Sequence, residues 1–235
     1  MANGRGDRER RLEVAPERMA GWLAGFAGRH GALTAEPSAA GVSFRAADGA
    51  QADCEVPFPP LPAGGEQPAS PVDLAAARAW GERIAAHALA DRTVGVLLVR
   101  LGGYAAGVFT GPDAVLAGSK VGARLVHGRS AAGGQSQQRF ARRRQKQAAE
   151  ALHAAADTAA AVLGPYAGRL DAVVLGGDRR AVAGLRTDPR LAPYFALAAG
   201  RFLTVPDPRL AVLKSAPRLF RAVRITLTEP GAAAP

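Results

Sequence analysis

"GRSAAGGQSQQRFARRRQKQ", residues 128–147, is the stretch on which the reading of this chain turns. Two glycines, Gly133 and Gly134, precede one amide side chain, Gln135, and a run of Arg and Gln follows with no acid until Glu150. The glycines let the backbone take positive φ or approach a ligand without a Cβ in the way. Ser136 is suited to cap the helix that follows. Gln135 then stands at the tip of a loop, before the positive end of a helix. It has no titrating group and cannot be a strong base. It can donate and accept hydrogen bonds, orient a water and, with its backbone N–H, stabilise an oxyanion.

A long helix is predicted from roughly 137 to 163, stopping at Gly164 and Pro165. On a helical wheel Ala141, Ala148, Leu152, Ala155, Ala159 and Val162 gather on one side, which should face a sheet. Arg139, Arg142, Arg143 and Lys146 gather on the other. Like charges at these spacings cost about 0.2 to 0.5 kcal/mol per pair, and positive charge in the first turn opposes the helix dipole. A face that meets only water usually mixes in glutamates, so phosphate is the better partner for this stripe. Lys120, Arg124, Arg129, Arg139, Arg142, Arg143, Arg144 and Lys146 follow one another with no acid between them, the footprint of an RNA-binding surface.

The rest of the composition agrees. The 235 residues carry a formal charge of +10, with 27 Arg against 3 Lys, and only 6% are aromatic, so the core must be built from Ala, Val and Leu. Arginine suits bidentate contact with phosphate, although a G+C-rich genome produces the same excess. Cys54 is the sole cysteine, which excludes an intramolecular disulfide and a thiolate metal cage. His30, His87, His127 and His153 have no metal-ligand spacing, and no phosphate-binding P-loop is present. Neither metal nor cofactor is expected. Asp171 and Asp178 bracket one strand, but two carboxylates are too few for a metal-dependent nuclease. With no apolar leader or membrane-length run, the chain is expected to be soluble, cytoplasmic and monomeric.

Working outward, residues 16–29 form a short apolar-striped helix, and "GVSFRA" and "QADCEVPF" form a hairpin, together a small α+β subdomain over 1–56. The Pro/Gly-rich stretch 57–71 is placed as a linker. A second domain, 72–235, then opens with a helix over 72–90. Strands follow at "TVGVLLVRL", "YAAGVFTG" and "KVGARLVHGR", then the long helix, a buried strand "DAVVLGGD", helical pieces over 179–200, and strands "RFLTVPD" and "RAVRITLT". That order predicts an α/β (α+β) domain with a mixed sheet and packed helices.

"GGQSQQRFARRRQ", Gly133–Gln145, resembles the catalytic loop and following helix of eukaryotic and archaeal class-I release factors, where GGQ is followed by Ser, two variable residues and an RFAR run. The flanking strands are similar to the middle domain of those factors, implying an RNase H-like sheet. The chain has no room for a codon-reading domain of normal size. This pattern resembles the Vms-like release-factor (VLRF) family, whose compact bacterial members are peptidyl-tRNA hydrolases. The resemblance implies a ribosome-rescue factor that docks on the large ribosomal subunit, its rRNA and peptidyl-tRNA. In that role Gly133, Gly134 and Gln135 are catalytic, and Ser136 and the basic residues contact RNA. Some family members carry a shorter glutamine motif, so the full GGQ implies ester hydrolysis ahead of tRNA-end cleavage. Two alternatives stay open: a non-catalytic module that binds the large subunit or tRNA, and a nuclease acting on the tRNA 3′ end.

Overall fold

The computed structural model describes residues 8–63, 71–100, 102–123 and 136–230, with side chains in the long helix described at 143 and from 145 onward. The chain forms two compact units, one from residues 1–90 and 221–235, the other from 91–220.

The first unit contains β1 (Arg8–Val14), α1 (Met19–His30), β2 (Leu33–Ser38), β3 (Gly41–Ala46), β4 (Gln51–Glu55), α2 (Leu74–Leu89) and β10 (Val223–Glu229). Its strands pair antiparallel in the order β1-β10-β4-β3-β2. Strict alternation puts Phe44, Ala52, Cys54, Val223, Ile225 and Leu227 in one core with Met19, Leu23 and Phe26 of α1 and Trp80 and Ile84 of α2. Asp73 caps α2 by accepting from the Ala76 N–H at 2.8 Å. Gly81 is where α1 and α2 meet: a Cβ there would lie 2.5 Å from the Ala20 Cα.

The unit boundaries differ from those expected of the sequence. The sequence order puts the helix over 72–90 in the second domain, yet α2 packs in the first, because Ala77, Trp80 and Ile84 complete its core. The break falls at 90/91 rather than in 57–71. "RAVRITLT" is a strand as expected, but it joins the first sheet between β1 and β4.

The second unit contains β5 (Val94–Arg100), β6 (Gly103–Thr110), β7 (Val115–Ala123), α3 (Ser136–Leu163), β8 (Ala172–Gly177), α4 (Arg179–Leu185), α5 (Ala192–Ala196), β9 (Ala198–Leu203) and α6 (Leu210–Phe220). The sheet order is β7-β6-β5-β8-β9, antiparallel from β7 to β5 and parallel from β5 to β9. This is the expected mixed sheet. β5 is buried from Val94 to Val99, as an unbroken apolar run demands of a central strand. Leu97, Val99, Val108, Val173 and Leu175 pack with Ala155, Ala159 and Leu163 of α3 and Val182 and Leu185 of α4. Phe109 of β6 meets Phe220 of α6 edge-on at 5.9 Å.

Candidate nucleic-acid interface

The expected catalytic loop falls between the end of β7 and the start of α3. Arg124, Arg129, Gly133, Gly134 and Gln135 lie outside the described residues. The elements that flank them are described. Among the described residues β7 is an edge strand paired with β6 alone, and its last residue, Ala123, stands opposite Gly103. Lys120 is exposed on β7, opposite Ala106. Ser136 occupies the first helical position of α3 rather than the one before it, a shift of a single residue from the expected cap.

α3 divides along its length. The first fully buried side chains among its described residues are Ala155 and Ala156, followed by Thr158, Ala159 and Leu163. From Ser136 to Ala155 the helix rises about 28 Å. Over that length the described side chains are exposed or half-buried, with Arg143, Gln145, Lys146, Ala149 and Glu150 exposed. Arg139, Arg142 and Arg144 lie in the same helical stretch. The predicted sheet-facing side therefore holds for the C-terminal half, where Ala155 and Ala159 are buried and Leu152 and Val162 half-buried. Arg190 anchors this half, bridging Asp157 of α3 at 2.8 Å and Asp188 at 2.7 Å. Its hydrogen bonds hold the Asp188 carboxyl below the ordinary carboxylate value.

Charge separates the units sharply. Residues 91–220 hold 19 Lys and Arg against 8 Asp and Glu, a formal +11, whereas the remaining residues hold 11 against 12, a formal −1. Arginine itself is spread over both units, 16 in residues 91–220 and 11 in the rest, so the difference lies mainly in the acids, 8 in the 130 residues of the basic unit against 12 in the other 105. What marks the basic unit is the scarcity of acids, above all between Lys120 and Lys146, where none occurs. Arg100 and Arg180 of this unit are far apart in the chain, yet the parallel pairing of β5 with β8 lets both line one cavity.

Other chemistries find little support in the side chains. Asp171 accepts from the Thr93 N–H at 2.7 Å at the start of β8. Asp178, at the other end, caps α4 by accepting from the N–H groups of Arg180 and Ala181 at 2.7 and 3.1 Å. The strand holds the two carboxylates apart, in separate structural roles. Among the described residues no group of three His, Cys, Asp or Glu could hold a metal. Burial pushes the Cys54 thiol far up, so it is no nucleophile. No helix among the described residues is long and apolar enough to cross a membrane.

A family model for the Actinobacteria/chloroflexi VLRF1 release factor matches residues 92–226. That span begins one residue inside the basic unit and runs through it into β10. No curated protein matches the chain.

Proposed function

Because the chain belongs to the VLRF1 release-factor family, we propose that it is a ribosome-rescue peptidyl-tRNA hydrolase that frees stalled nascent chains through the Gly133–Gln135 loop. The family carries the coarser statement, a release-factor role in translation with ribosome contact. The observation that supports the finer one is that GGQSQQRFARRRQ falls in the chain between β7, an edge strand with mostly exposed side chains, and the stretch of α3 before Ala155, whose described side chains are exposed or half-buried, in a unit of formal charge +11.

The chemistry follows from what glutamine can do. The basic stripe docks on rRNA and the tRNA acceptor end, and the N-terminal half of α3 carries the loop toward the ester. Gln135 orients a water whose oxygen attacks the ester carbonyl carbon. The backbone N–H of Gln135 stabilises the oxyanion that forms. The bond to the terminal ribose oxygen then breaks, and the proton passes to that oxygen through the ribose hydroxyls of the tRNA. Excluding bulk water and fixing geometry supply the rate, with no protein acid or base needed.

The test uses purified large subunits carrying radiolabelled peptidyl-tRNA, with peptide, intact tRNA and shortened tRNA resolved on one gel. Wild type releases peptide and leaves tRNA intact, and Gln135→Ala loses release by about two orders of magnitude or more, as removal of one oxyanion or water-positioning group does. Undiminished release by Gln135→Ala refutes the assignment, and shortened tRNA replaces it with a nuclease.

A further inference from the structure

A cavity of about 340 Å³ opens where the parallel neighbours β5 and β8 end. In open sheets with parallel strands, ligands enter at the strands' carboxyl ends. The volume lies within the range of small-molecule sites. One wall is apolar, from Ala148, Ala151 and Leu152 of α3, and Tyr104 of β6 adds an aromatic ring. Arg100, Arg180 and Asp178 supply the charge.

These charges are not equivalent. The Asp178 carboxylate is already committed to the backbone N–H groups that open α4. Arg100 is anchored, with Nη1 donating to the Val205 carbonyl at 2.9 Å and Nε 3.6 Å from Asp207, which leaves further N–H donors of the fork for a ligand. Arg180 is exposed. A cavity with apolar wall, aromatic ring and two guanidinium groups combines the parts that take up unstacked bases and their phosphates.

We propose that this cavity binds one unpaired nucleotide of RNA, its base against the α3 wall and Tyr104 and its phosphate at Arg100 and Arg180. The proposal rests on the reading of residues 91–220 as RNA-facing. It adds a second point of recognition about 18 Å along α3 from Ser136 to Ala148. Tyr104 also ties the cavity to the loop: its ring covers Gly122, where an added Cβ would come within 2.4 Å. One residue beyond Gly122 the chain leaves β7 for the segment that carries Gln135. An occupied cavity thus braces the strand from which the loop departs.

The test is fluorescence anisotropy of the full chain with a fluorescein-labelled single-stranded RNA of about ten nucleotides. Ala151→Trp fills the cavity without changing charge, and Arg180→Ala removes one phosphate donor from an exposed position. Ala151→Trp should weaken binding about tenfold with an unchanged salt slope, and Arg180→Ala should lower the slope by about 0.7. Thermal melting checks folding, and Ala148→Phe, on the same wall, replaces Ala151→Trp if the latter does not fold. Wild-type affinity and slope in well-folded variants overturn the nucleotide site, as does failure of the wild type to bind the RNA. Peptidyl-tRNA hydrolysis by the same preparations separates this claim from the last: Gln135→Ala should lose release yet bind the RNA normally, so either result can fail alone.

Discussion

Replacing Arg143 and Lys146 together by alanine isolates the contribution of the α3 stripe to RNA binding. Both side chains are exposed, three residues apart on one face, so their removal leaves no cavity and orphans no partner among the described residues. Alanine is the best helix former, and the change removes a like-charge pair that costs about 0.2 to 0.5 kcal/mol. The melting temperature should therefore hold or rise slightly. RNA binding should behave oppositely. Each phosphate contact to single-stranded RNA contributes about 0.7 to the slope of log K against log salt, so two contacts account for about 1.4. Relative to a standard of about 1 M salt, that is a loss of about 25-fold at about 0.1 M and about fivefold at about 0.3 M, vanishing near 1 M. Anisotropy titrations of labelled single-stranded RNA across that salt range read both intercept and slope. A double variant whose slope equals the wild type's would show that these residues meet only water, and the docking face would have to lie elsewhere.

Three further outcomes follow from the geometry. Asp178→Ala removes an acceptor shared by two backbone N–H groups and should cost about 1 kcal/mol in denaturant unfolding, with Asp178→Asn close to wild type. Gly81→Val drives a side chain into the Ala20 backbone and should cost about 1 to 3 kcal/mol, lowering the melting temperature of the first unit. The Asp48 carboxyl is held below its usual 3.8 by the Ala50 N–H and by His30, so its contribution is full above that value and is lost as pH falls through the lower folded value. Asp48→Asn should accordingly be less stable than wild type at neutral pH, with the gap closing on acidification below about pH 4, as followed by circular dichroism.

What the sequence made legible tracks how local the determinant is. α3 announces itself because apolar positions recur on one side from Ala141 to Val162, about six turns, and Gly164 and Pro165 close it. β5 does so because an unbroken apolar run can only be central. β1, "RERRLEV", carries five charges in seven residues, and only Leu12 and Val14 hint at its buried side, so its alternation was invisible. β2 contains Pro37, tolerated because the strand lies at the sheet edge. α6 contains Pro217, which speaks against a helix in isolation, yet Leu213, Ala216 and Phe220 are buried and hold it. The basic stripe was legible as spacing on one helix. The cavity was not, since its lining is drawn from segments around 99–104, 148–152 and 178–181 that only the fold assembles.

The return of the chain to its first sheet imposes an order of events on folding. β10 lies between β1 and β4, with Arg8 opposite Glu229 and Glu55 opposite Arg224. Until it arrives β1 has no neighbour, and the sheet is split into a lone strand and a three-stranded remnant. All strands of the second unit precede β10 in the chain, so during synthesis that unit can reach its native sheet while the first still waits. Pairings of such long sequence separation are slow to form. The first unit is therefore the late-folding one, and a nascent chain halted short of Val223 would combine a finished second unit with an open β-sheet, β1 and β4 exposing the edges that β10 is made to fill.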